Sequence, residues 1–319
     1  MTALALTASG CVTVHGEREV VPAATKAEAA EAVREFTAAY NAADKAYDPS
    51  LDADRVTGAL GAINQAGLKS RGTNFPGGNP RHVPLELTDT KFTIPKKAGW
   101  PRYFVANADP GAQADSGGAD ERWLLVFLRG APADVWKAAY LTVLPADRVP
   151  ELKTDGGGFA EPVPADATGL VSAPGELGKK YTAFMQTGEP KLFADGPHTS
   201  GWRDARGKSS NLPGISTQWI DQPLDAGDFA PLALATADGG ALVFFTVRNY
   251  ERQTAAKGVS LKIHPDVRPL LTGNAKSTIT KERVSSQAVL VPPSGGSGPG
   301  GGQVEVLGRL AGLTTAKGG

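Results

Sequence analysis

Only one cysteine stands among the 319 residues, so no internal disulfide can staple the fold. Histidine is almost as scarce. His15, His82, His198 and His264 are scattered, none with the His or Cys spacing of a metal site, so no metal is expected. Charge of one sign is also missing. The 33 basic and 33 acidic residues cancel, which removes the electrostatic case for nucleic acid or for an anionic membrane face. No apolar run approaches the roughly 20 residues needed to span a bilayer. The nucleophile motifs G-x-S-x-G and S-x-x-K are absent, and no glycine loop is followed by the Lys and Ser/Thr of a phosphate cradle. No catalytic motif and no cofactor motif is present.

Glycine and proline, by contrast, are abundant, with 39 and 24 copies that imply many turns and long loops. Thr25 and Glu28 form a capping box, each side chain placed to satisfy the other's backbone N–H. The helix behind it is predicted to run to about Asp44, with Ala29, Val33, Phe36 and Tyr40 on one face. A second helix is expected over 52–68, weakened by its glycines. Strands are expected over 83–94, 101–106, 122–128 and 135–144, the last two joined as a hairpin through 129–134. One helix followed by antiparallel strands is an α+β pattern.

From 153 to 175 the chain turns rich in Gly, Pro and Asp and reads as a linker. The pattern then restarts. Leu177, Tyr181 and Phe184 mark a helix, and His198 to Asn211 reads as a polar loop. Strands are expected near Gln218 and over 230–236, 241–247, 259–263, 286–291 and 303–313, with a flexible glycine loop over 295–302. Short stretches of the halves match: FTAAYN at 36–41 with YTAFMQ at 181–186, LLVF at 124–127 with LVFF at 242–245, and LTVLP at 141–145 with LKIHP at 261–265. These matches predict two tandem related α+β domains, at 25–153 and 176–319, separated by 154–175. Each would pack an N-terminal helix on a curved antiparallel sheet. That order of elements is similar to the cone-shaped NTF2-like and cystatin-like folds.

The single cysteine has a context of its own. Leu4 to Gly10 form a short apolar run ending in Ala8, Ser9 and Gly10, immediately before Cys11. These residues resemble the lipobox of bacterial lipoproteins, which implies cleavage before Cys11 and a lipid on its thiol. Two features depart from that pattern: Ala8 stands where leucine is commonest, and no Lys or Arg precedes the run. A start codon placed too late accounts for the second. On this reading 1–11 is a partial signal and 12–24 a tether. Ten residues of helix reach only about 15 Å against a hydrocarbon core of about 30 Å, so the anchor is the lipid and not a span. As a whole the chain resembles the uncharacterised secreted lipoproteins of actinobacteria such as streptomycetes. The resemblance implies a lipid-anchored protein on the extracytoplasmic face of the cell membrane and carries no reaction.

Carboxylate pairs such as Asp52 with Asp54 and Asp120 with Glu121 lack a neighbouring His or apolar setting and read as solvated loop acids. The aromatics Trp100, Tyr103, Trp123, Trp136, Tyr140, Tyr181, Phe184, Trp202 and Trp219 are the candidate pocket or partner contacts. The expected role is non-catalytic binding of an envelope protein or a small apolar ligand. The alternatives are a hydrolase or isomerase working in a cone pocket, and a structural scaffold of the envelope.

Overall fold

The computed structural model describes residues 19–111, 120–295 and 302–319; Cys11 and its apolar run, His15 and most of the 295–302 loop lie outside them. The chain is α+β, with four helices and three sheets among the described residues. Strand β1 (Val20–Pro22) precedes α1 (Lys26–Ala46) and α2 (Gly58–Asn74). Next come β2 (Thr88–Thr93), β3 (Lys96–Ala98), β4 (Arg102–Asp109), β5 (Glu121–Arg129) and β6 (Lys137–Pro145). After the glycine-rich segment follow α3 (Leu177–Thr187), α4 (Ser200–Ser210), β7 (Asn211–Leu212), β8 (Ile215–Leu224) and β9 (Leu232–Ala235). The chain closes with β10 (Ala241–Ala255), β11 (Leu271–Thr272), β12 (Thr278–Val291) and β13 (Glu305–Gly318).

The capping box forms as its residues require: the Glu28 N–H donates to Thr25 Oγ1 at 3.1 Å, and the Thr25 N–H donates to the Glu28 carboxylate at 2.7 Å. Behind it, α1 is rich in alanine, the best helix former, and buries Ala29, Val33 and Phe36. The tether expected over 12–24 gives way to structure earlier than that, since β1 pairs with β3 and Ala23 and Ala24 are buried.

Strands β2-β4-β5-β6 form one antiparallel meander, and β8-β10-β12-β13 run consecutively through a larger sheet. In the latter, β8 and β9 share one side of β10, pairing with Thr246–Ala255 and Ala241–Phe244 respectively. Alternate residues of each strand face opposite ways, and both sheets are covered on both sides. Phe36 of α1 meets Phe127 edge-on at 5.8 Å, and Phe127 stacks on Phe104 at 4.9 Å. On the reverse of that sheet, Leu124, Val126 and Tyr140 pack against Leu242, Phe244 and Ala288 of the second sheet. The far face of the second sheet, with Val243, Phe245 and Val289, packs on Leu177, Tyr181 and Phe184 of α3. The layers are therefore helix, sheet, sheet, helix. Double coverage explains why Trp123–Leu128 and Ala241–Phe245 are continuously apolar instead of alternating.

Each half runs two helices and then a four-stranded meander, but the short sequence matches do not align the two meanders. The run 124–127 lies in β5, third in its meander, whereas 242–245 lies in β10, second in its own. Residues 259–263, expected as a strand, form none. Leu261 and Ile263 instead pack loosely beside Val267 and Ile279, and the chain enters a 3₁₀ turn at Pro265–Leu270. The expected helix over 52–68 begins six residues later, at Gly58, after a turn ending near Asp52. Of 198–211, expected as a polar loop, Ser200–Ser210 form α4. Its glycines and serines are poor helix formers, so contacts beyond the helix hold it. The segment 154–175 is pinned along β9: the Val163 N–H donates to the Ala233 carbonyl at 3.0 Å and the Ala235 N–H to the Glu161 carbonyl at 2.9 Å.

Candidate functional site

The contact that holds α4 also organises the candidate site. On β8, Thr217, Trp219 and Asp221 share the face turned towards the helices, while Ser216, Gln218 and Ile220 are exposed. Arg206 reaches this face from α4. Its two terminal nitrogens donate to the two carboxylate oxygens of Asp221 at 2.7 and 2.8 Å, the bidentate geometry in which a guanidinium matches a carboxylate. The guanidinium lies between two indoles, 5.0 Å from the Trp202 ring and 4.7 Å from the Trp219 ring. The rings themselves meet edge-on at 5.9 Å. Arg206 is 5% exposed and Asp221 7%. A pair so dry gives little net stability, but removing one partner strands a buried charge at a cost of about 3–5 kcal/mol.

Beside this clamp opens a cleft of about 630 Å³. Met185 and Gln186 enter it from the end of α3, Arg203 and Lys208 from α4, and Thr217 and Trp219 from β8. Four side chains of its wall carry a buried polar atom with no partner among the described residues: Arg203 Nε, Arg206 Nε, Thr217 Oγ1 and Trp219 Nε1. Across the ladder from Asp221 stands Asn249, 1% exposed, with both amide atoms unpartnered. Buried polar groups left unpaired are uncommon in folded proteins, so their gathering in one place singles this cleft out.

Charge follows the same pattern. Arg309 of β13 lies 4.9 Å from the Trp202 ring and makes no ion pair among the described residues. Burial pushes its pKa down; Tyr181 and Asp221 counter that, while Arg206 adds to it. Burial likewise lowers the pKa of His198, with Arg309 contributing. Glu251, the cross-strand partner of Trp219, would be raised by burial, yet Lys281 at 2.9 Å and Arg283 at 2.5 Å hold it below the usual carboxylate range.

A second cleft, of about 430 Å³, lies between α2 and β13 and is lined by Tyr40, Ile63, Arg71, Leu310 and Leu313. Asn64 of its wall donates to Asp52, as does Gln65. Asp52 is not a solvated loop acid: it is fully buried, and that burial pushes its pKa up to about 6 against the pull of the two amides. The Asp52 carboxylate is sealed behind Asn64 and Gln65, so a molecule in this cleft meets the Asn64 amide and not Asp52; the acid in the cleft wall is Asp266.

Of the nine candidate aromatics, only Trp219 lines one of these two clefts, with Trp202 packed edge-on against it. Trp123 and Trp136 are core side chains of the α1 layer; Tyr103 and Tyr140 lie between the sheets; Tyr181 and Phe184 lie between α3 and the second sheet. Trp100 is half-buried, with the guanidiniums of Arg102 and Arg129 at 4.6 and 5.1 Å from its ring. Sequence reading missed Thr217, Asp221, Asn249 and Arg309. The available signal was the alternation of Thr217, Trp219 and Asp221. No group of three metal-ligating side chains occurs among the described residues. Nor is any described helix long and apolar enough to cross a membrane.

Residues 20–318 match the family described as a domain of unknown function, DUF8094. An uncharacterized lipoprotein of Streptomyces coelicolor is 57% identical over 318 residues, covering 99% of this chain and 93% of its own length. One of Streptomyces avermitilis is 51% identical over the same shares. A further S. coelicolor lipoprotein is 28% identical over 65% of this chain and 59% of its own. The chain belongs to this DUF8094 family, alongside uncharacterised actinobacterial lipoproteins.

Proposed function

We propose that this protein is a lipid-anchored binding protein on the extracytoplasmic face of the membrane, holding its ligand in the cleft between α3, α4 and β8. The anchor is Cys11, behind Ala8, Ser9 and Gly10, and the lipoprotein names of relatives over 50% identical support it. Two acyl chains suffice for stable attachment without a span. Binding rests on one observation: four side chains of a single cleft each hold a buried polar atom without a partner. Reading the protein as a binder and not an enzyme is favoured by the occupation of Asp221, whose oxygens both accept from Arg206. An enzymatic reading would draw on Asp52, but that acid is closed off from the second cleft. The repeated order of two helices and a meander further suggests that the halves are copies of one cone-shaped unit, whose helix-side face here forms the cleft.

The test has two arms. Cys11→Ala should leave the protein folded and release it from the membrane fraction; persistence in that fraction counts against the anchor. Native mass spectrometry of the protein extracted from its own cells should show a bound mass that Trp219→Ala loses. An identical mass in both proteins would move the site elsewhere.

A further inference from the structure

The composition of the cleft wall narrows what it can hold. Its basic groups are Arg203, Arg206 and Lys208, its acids Asp204 and Asp221; Arg206 and Asp221 neutralise each other, which leaves Arg203 and Lys208 against Asp204. Arg309 adds a half-buried cation beside Trp202 with no ion pair among the described residues. The site is thus locally cationic in a chain whose basic and acidic residues balance at 33 each. Donors dominate as well. The Trp219 indole and the Arg203 and Lys208 side chains can only donate, and the 93%-buried Thr217 hydroxyl is unpartnered. Met185 and Trp219 supply the apolar wall. A purely apolar ligand would strip water from the charged groups of Arg203 and Lys208 without replacing its hydrogen bonds, at a cost per group comparable to a lost hydrogen bond.

We infer that the cleft takes an acidic sugar, a phosphorylated or carboxylated saccharide whose ring lies against Trp219 and whose anion meets Arg203 and Lys208. This rests on the binding reading above and adds the chemical class. A phosphate ester and a uronate share the chemistry the site reads: an acceptor-rich anion on a ring with hydroxyls for the Gln186 amide. Charge-assisted hydrogen bonds from a guanidinium are about twice as strong as neutral ones. The anion therefore contributes more to affinity than the ring.

Calorimetric titration of the full-length, detergent-solubilised protein separates the cases, with glucose 6-phosphate, glucuronate, glucose and inorganic phosphate as probes. At least one acidic sugar should bind at least tenfold more tightly than glucose, weakening as salt rises. The tighter of the two identifies the anion. Arg203→Ala and Lys208→Ala should each weaken that sugar severalfold, with unfolding temperatures unchanged. Glucose binding as tightly as both acidic sugars, or acidic-sugar affinity unmoved by both substitutions, overturns the inference. So does phosphate alone matching the tighter sugar, or silence from both acidic sugars up to about 10 mM. A neutral compound recovered by native mass spectrometry and lost in Trp219→Ala would remove the acidic class while leaving the binding role intact.

Discussion

Single residues show where chemistry departs from what a linear reading allows. Asp52 sits in the polar run of Asp52, Asp54 and Arg55, and nothing local announces its burial. That burial is made by α2, which lays Asn64 and Gln65 over the carboxylate twelve and thirteen residues on. The consequence is a pH dependence of definite sign. Unfolded, the group titrates near 3.8; folded, near 6. The folded chain therefore holds the proton more tightly, and the stabilisation is complete below about pH 3.8 and lost as pH rises through 6. A shift of this size corresponds to about 3 kcal/mol. Asp52→Asn removes that titration. The difference in urea unfolding free energy, variant minus parent, should therefore grow between pH 4 and pH 7. A difference that stays flat would mean Asp52 is ionised at its ordinary pH in the folded protein.

At the scale of elements, close approach between layers is written in glycine. A Cβ at position 312 of β13 would lie 2.5 Å from Ile63 Cγ2 of α2, and one at 308 would lie 2.7 Å from Thr142 Cγ2 of β6. The two glycines let β13 close the side of the sandwich under α2. Gly312→Val should cost about 1–3 kcal/mol by overpacking, read as a lowered thermal midpoint. Ile63→Ala added to it should recover part of the loss; a strictly additive double variant would place the strain elsewhere. Elements of this kind differ in how legible they are. The helix at Lys26–Ala46 is visible because its signals are local: a capping box, alanines and an apolar stripe. Helix α4 is not, because Gly201, Gly207 and its serines argue against it. What overrides them is tertiary packing, Trp202 and Arg206 against Trp219 on a strand not yet made. The same holds for the cleft. Trp219 of its wall and the neighbouring Trp202 were visible as aromatics, but the arginines that make it cationic meet only after β8 and β13 fold into one sheet.

The whole molecule is held by the layer between its two sheets. Tyr140 is fully buried there, with its hydroxyl donating to the carbonyls of Phe229 and Ala230 at 3.1 Å, and its ring lies 5.9 Å from that of Phe244. Tyr103 donates to the Ala233 carbonyl at 2.9 Å. Thus tyrosines of the first sheet satisfy their hydroxyls on backbone of the second half, and Leu124, Val126, Leu242 and Phe244 form a single core from both sides of 154–175. Either half alone would present a full sheet face of apolar side chains to water, and buried apolar area is worth roughly 25 cal/mol per Å². Residues 25–153 and 176–319 expressed separately should accordingly bind a hydrophobic dye and lack cooperative unfolding, and should recover a native-like transition when mixed or co-expressed. The composition of 154–175 invites protease without implying independence, since its backbone bonds to Ala233 and Ala235 would hold a nicked chain together. A half that melts cooperatively on its own, with no dye binding, would show that the inter-sheet layer is an interface between finished domains and not a shared core.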